Sequence, residues 1–170
     1  MNMKRSCGVL LPLFSLPSEH GIGTLGKAAY DFIDFLAAAG QSWWQLLPVG
    51  PAGSGDSPYN SFSSFAGNAY FIDPDMLVQD GLLTKAEVSA VDWGNDEQSV
   101  DYEKLRAHRM PLLRKAARRG LEKNAEEFDS FCRDNASWLS DYALYMALKE
   151  HFGGASWTEW PEDIRLHRAE

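Results

Sequence analysis

Two short apolar runs, residues 7–13 and 42–49, flank a stretch with one apolar helical face, and that order constrains the fold more than any other feature. A continuous apolar run of this length suits a strand buried on both faces, as in a parallel sheet. Between the runs, Thr24 stands where it can cap a helix. Leu25, Ala28, Ala29, Phe32, Ile33 and Leu36 then recur at helical spacing. Gly40 fits the position just past the helix end. Strand, helix, strand with short connections reads as a βαβ unit with a right-handed crossover.

The second run leads straight into a loop rich in Gly, Pro and Ser, residues 50–71. On an α/β barrel the loop after each strand lies on the face that carries chemistry, so this loop and the earlier one, residues 14–23, point to a substrate site. The segment Asp56-Ser57-Pro58-Tyr59-Asn60 is the sharpest chemical signal. Pro58 fixes its own backbone and pushes Ser57 into extended geometry, which gives Ser57 and Tyr59 defined directions. A tyrosine can meet a ligand with both its ring face and its hydroxyl; it can equally plug a barrel mouth. Asp56, Ser57, Tyr59 and Asn60 are the candidate substrate contacts, although an aspartate before Ser-Pro also serves to support a turn. Asn68 can bond loop backbone or ligand. Trp43 and Trp44 face opposite ways on the strand and are both expected in the core.

After residue 72 the texture becomes helical. Asp73-Pro74-Asp75 opens a turn or helix, and Thr84 with Glu87 forms a capping box. Residues 102–119 have helical periodicity, with Pro111 as a kink or break and Gly120 as the stop. A further cap box at Asn124–Glu127 precedes Phe128 and Phe131, and residues 138–152 form a helix ended by Gly153-Gly154. No strand signal follows Ala86. Two domains are expected: residues 1–72, the start of a barrel with its substrate loop, and residues 73–170, a helical subdomain.

Composition removes several function classes. The net charge of −8 argues against nucleic acid. Arg114, Lys115, Arg118 and Arg119 read as a solvated helix face. Cys7 and Cys132 form no framework and read as reduced, buried thiols of a cytoplasmic protein. Pro12 and Pro17 interrupt the apolar run after Lys4 and Arg5, which argues against a signal peptide, and no segment is long enough to span a membrane. His20, His108, His151 and His167 are too dispersed for a metal site. Gly21-Ile22-Gly23-Thr24-Leu25-Gly26 is a literal G-x-G-x-x-G, but it does not follow directly on a strand and reads as a tight turn with close helix packing.

Several separate motifs occur in the order found in one family. They are the run from Gly8 to Pro17, Gly21 to Gly26, Trp43 to Ile72, Trp138-Leu139-Ser140-Asp141-Tyr142-Ala143, and Trp157-Thr158-Glu159-Trp160-Pro161. Together they resemble the amylomaltases, or 4-α-glucanotransferases, of glycoside hydrolase family 77. The resemblance implies a (β/α)8 barrel with insertions. It implies transfer of α-1,4-glucan segments between maltooligosaccharides by a retaining double displacement, without metal or organic cofactor. It places Ser57 and Tyr59 beside the scissile-bond subsites. Ser54 stands where many members carry an aromatic of a second glucan groove. A full barrel typically needs about 250 residues, and the family's catalytic carboxylates match no position here. The chain is therefore expected to be the N-terminal portion of a longer enzyme, inactive alone, with the missing C-terminal portion as its partner. The alternative is a carbohydrate-binding or interaction module that kept this portion and lost catalysis.

Overall fold

The computed structural model describes residues 5–94, 96 and 98–168. β1 (Gly8–Leu10) and β2 (Trp43–Gln45) pair in parallel, with Gly8 opposite Trp43, Val9 opposite Trp44 and Leu10 opposite Gln45. α1 (Lys27–Ala38) joins them, as the apolar pattern requires. The expected burial does not follow. Val9, Leu10 and Trp43 are 37%, 55% and 67% exposed, and Cys7 is exposed too. A parallel strand is buried only when layers cover both of its faces, and among the described residues the sheet has just these two strands. Within this chain Trp43 is thus outside the core; its indole N–H donates to Ser6 Oγ at 2.9 Å. Trp44 does pack inward, edge-on to Phe32 at 5.0 Å, with its N–H on the Leu11 carbonyl at 2.8 Å.

α1 starts later than Thr24 suggests. Its N-cap is Gly26, without a side-chain cap, because the Thr24 hydroxyl donates instead to the Asp73 carboxylate. Its end matches the pattern: the Gly40 N–H bonds Ala37 O and the Gln41 N–H bonds Leu36 O, with Gly40 at φ +70°. Ala29 and Leu36 are buried, whereas Leu25 and Ile33 lie exposed.

The local helix signals downstream are realised where a side chain can satisfy the first N–H groups. Asp73 caps α2 (Pro74–Gln79), accepting from the Asp75 and Met76 N–H groups. Thr84 and Glu87 close a full capping box on α3 (Lys85–Ser89). Such caps are each worth about 1 kcal/mol. One continuous helix then runs through α4 (Tyr102–Lys104), a π turn (Leu105–Arg109) and α5 (Met110–Lys123). Pro111 has no N–H to give to the preceding turn, and the wider π turn comes directly before α5. Gly120 does not stop the helix; it lies beside Leu82 inside α5.

Contacts divide the chain into two compact units, Met1–Asn124 and Ala125–Glu170. Residues 73–124 fall within the first unit: Leu105 joins the cluster beside the sheet, while side chains of α2, α3 and α5 form a cluster of their own. Leu13, Leu16, Ile22, Ala29, Phe71 and Leu105 form one cluster, and Leu83, Val88, Leu112 and Ala116 a second. The second unit holds α6 (Ala125–Asp134), α7 (Leu139–His151) and α8 (Glu162–Arg165). Gly153 and Gly154 end α7 as expected. Trp160 is buried there between Tyr145 and Phe152, each ring 5.5 Å away, while Trp157 is half exposed. No described residue after Ala86 is in a strand.

Candidate functional site

The loop after β2 is a built structure. An antiparallel bridge joins Ala52 to Ser61, and the Gly53 N–H donates to Asn60 O at 2.6 Å. The loop returns to the strand end through the Asn68 N–H on Val49 O at 2.8 Å. At its tip Gly55 and Asp56 take φ +80° and +54° in succession. The chain then straightens: Ser57 has φ −74° and ψ 129°, the extended geometry that Pro58 imposes.

Asp56, Ser57, Tyr59 and Asn60 are brought together in this loop, with different surroundings. The Asp56 carboxylate takes the Arg106 guanidinium, Nη1 to Oδ1 at 2.8 Å and to Oδ2 at 3.0 Å. Ser57 Oγ accepts from the Tyr59 N–H at 3.4 Å, and Ser57 O accepts from the Asn60 N–H at 3.1 Å. Tyr59 is 74% exposed within this chain. Asn60 is exposed as well. Asn68 serves the backbone: its side chain accepts from the Tyr70 N–H at 2.9 Å. The Ser54 side chain lies outside the described residues.

The underside of the loop is filled. Phe14, Ile22, Pro48, Pro58, Phe71 and Tyr102 line a space of about 10 Å³, room for roughly one water. The open side of the loop is the outer one, where Tyr59 is. Phe14 brings the first loop against this floor, but His20 of that loop is buried, with Nε2 3.0 Å from Asp75 Oδ2 and its ring 5.2 Å from Trp93. Burial raises the Tyr70 phenol above its usual range, with Arg106 opposing and Asp56 adding to the shift. Tyr102 is raised by burial and by Asp56. Hydrogen bonding to Asp56 raises Arg106.

Sequence reasoning passed over the groups that hold this loop in place. Arg109 is fully buried, its Nη1 on His20 O at 2.9 Å and its Nη2 on Ile72 O at 2.6 Å, with its guanidinium 5.3 Å from the Trp93 ring centre. Arg106 and Arg109 look like ordinary surface cations of an amphipathic helix, and periodicity carries no sign of partners so far away in sequence. The cationic face proposed for the same helix is only partly solvated, since Lys115 and Arg119 both bond Glu87. The G-x-G-x-x-G segment packs as a turn. A side chain at Gly21 would meet Trp93 O, and one at Gly26 would meet the Asp73 carboxylate. That carboxylate occupies the start of α1, where a nucleotide phosphate would otherwise bind.

Among the described residues, no helix is long and apolar enough to cross a membrane, and no group of three or more His, Cys, Asp or Glu side chains is arranged to hold a metal ion.

Residues 11–170 match the family model described as 4-alpha-glucanotransferase, of glycoside hydrolase family 77. The chain is 50% identical over 168 residues to a 4-alpha-glucanotransferase of Streptococcus pneumoniae, covering 98% of this chain and 33% of that protein. It is 46% identical over 169 residues to a 4-alpha-glucanotransferase of Thermus thermophilus, covering 97% of this chain and 33% of that one. Among solved structures, the amylomaltase from Streptococcus agalactiae in complex with acarbose matches with a TM-score of 0.92 at 40% identity, over 98% of this chain and 34% of that chain. The chain spans about a third of the length of the curated relatives it matches.

Proposed function

The chain belongs to the 4-alpha-glucanotransferase family, glycoside hydrolase family 77, and from that premise we propose that it forms the N-terminal third of an enzyme that transfers α-1,4-glucan segments between maltooligosaccharides. The observation that carries the proposal is the loop after β2, whose Pro58-fixed tip holds Tyr59 exposed above a filled floor. A relative of closely similar shape was solved in complex with acarbose, which supports a sugar ligand for this chain. In this reading β1, α1 and β2 open a (β/α)8 barrel, and residues 73–170 are a helical insertion after its second strand.

The work assigned to this chain is binding and orientation. Tyr59 lays its ring on a sugar face, and Ser57 and Asn60 meet hydroxyls at its edge. Asp56 stays with Arg106 and shapes the loop. The covalent steps belong to two carboxyl groups on the remaining two thirds. One forms the glycosyl-enzyme; the other acts as acid and then base, about 5–5.5 Å away. Glucans of the starch, glycogen and maltose type are the substrates, and the two free thiols, Cys7 and Cys132, suit a cytoplasmic protein.

The test is maltotriose disproportionation by the full-length protein, followed by chromatography of the products. Glucose with maltopentaose is expected. Unchanged maltotriose, or simple hydrolysis to glucose and maltose, would overturn the proposal.

A further inference from the structure

The π turn Leu105–Arg109 carries two arginines, and both reach the loops of the site. Arg109 fixes the loop bases through the carbonyls of His20 and Ile72. Arg106 fixes the tip. Its side chain is half exposed, and a single nitrogen donates to both oxygens of Asp56. Asp56 holds φ +54° directly after Gly55 at φ +80°. Two consecutive residues in the left-handed region form a sharp corner. A side chain there persists only when its surroundings hold it, and aspartate tolerates the region better than most residues. The same floor carries Tyr102, one helical turn before Arg106, next to Asp56 and Pro58.

We infer that Arg106 is a positioning residue for the sugar loop: through Asp56 it holds the corner from which Ser57, Pro58 and Tyr59 project, and so sets glucan affinity without touching the glucan. The inference rests on reading this loop as a glucan site. An ion pair this exposed adds little to global stability, so its loss should register in binding before it registers in melting.

The experiment uses the full-length protein with maltotriose as substrate. Arg106→Met should raise KM about fivefold or more while kcat stays within about twofold, the pattern of lost binding common to ground and transition states. Arg106→Lys should keep KM near the parent value, since an ammonium still meets the carboxylate. Asp56→Asn keeps a residue that tolerates the corner but removes the charge, and it should match Arg106→Met. The double variant should be no worse than either single one, because both remove the same interaction. An unchanged KM in Arg106→Met, or single effects that multiply in the double variant, would overturn the inference. If Arg106→Met fails to fold, Asp56→Asn decides alone, and an unchanged KM there overturns it. A parent protein inactive on maltotriose overturns the glucan reading and this inference with it. An active parent with indifferent variants overturns the inference only.

Discussion

The hydroxyl of Thr24 donates to the carboxylate of Asp73 across 49 positions of sequence, and both side chains are buried. The other oxygen of that carboxylate caps α2, accepting from the Asp75 N–H at 2.9 Å and the Met76 N–H at 3.1 Å. One side chain thus ends the second loop, starts a helix and secures the approach to α1.

Asp73→Ala should therefore destabilise the protein by about 2–3 kcal/mol, the loss of a cap plus a buried hydroxyl left unpaired. Thr24→Val should cost about 1–2 kcal/mol. The double variant should lose less than the sum, because the two share one bond. Denaturant unfolding of the full-length protein measures all three; strictly additive losses would refute the coupling.

Arg109→Met removes the donors of two backbone carbonyls, His20 O and Ile72 O, inside a closed core. A loss of about 2–5 kcal/mol is expected, read as a lowered melting temperature. Arg109→Lys should recover only part of it, since an ammonium lacks the planar fork that spans both carbonyls. Burial pulls Arg109 down to about 10, with Asp73 and Tyr70 opposing, so the guanidinium stays charged at neutral pH. A fully stable Arg109→Met variant would show that the clamp contributes nothing.

Glu87 gives the chain an acid-sensitive joint. Bonds from Arg119, from the Thr84 N–H and from Lys115 hold its carboxyl well below the ordinary carboxylate range. With the folded state binding its proton later than the unfolded chain, the joint's stabilisation is complete above about pH 4.5 and is lost as pH falls below it. Glu87→Gln should be less stable at pH 7 and should lose less on acidification from pH 6 to pH 3. Parallel pH profiles for the two proteins would contradict this.

Tyr59→Ala should lower transfer between maltooligosaccharides in the full-length enzyme with little change in melting temperature, because the ring takes little part in the packing of this chain. Apolar contact of a ring with a sugar face is worth roughly 1–2 kcal/mol, about tenfold in rate or affinity. Unchanged transfer, or a variant that unfolds, would remove Tyr59 from the substrate site.

The purified 170-residue chain should bind a hydrophobic dye or self-associate, and should show no disproportionation. Leu10, Phe35 and Trp43 are 55%, 62% and 67% exposed around a two-stranded sheet. Open strand edges and apolar faces seek partners. Turnover of maltotriose by a monodisperse monomer on a size-exclusion column would overturn both the prediction and the placing of the catalytic carboxylates outside this chain.

Local chemistry was legible in the sequence by itself. Asp73 before Pro74, Thr84 with Glu87, Gly40 and the Gly153-Gly154 pair sit where their own neighbours need a cap or a left-handed residue, so short-range order reveals them. The strand–helix–strand order and the extended Ser57 before Pro58 were readable for the same reason. Only the tertiary structure decided where Thr24, Arg106, Arg109 and Trp43 would go. Thr24 has the residue type of a cap and serves Asp73 instead; Arg109 has the residue type of a surface cation and is the largest fully buried side chain among the described residues. Trp43 looks like core, and within this chain no layer covers it. A cap is settled within one helical turn, whereas a buried arginine needs carbonyls from segments 89 and 37 positions away, and burial of a strand needs layers on both faces. Those partners are fixed by packing, which periodicity along the chain does not encode.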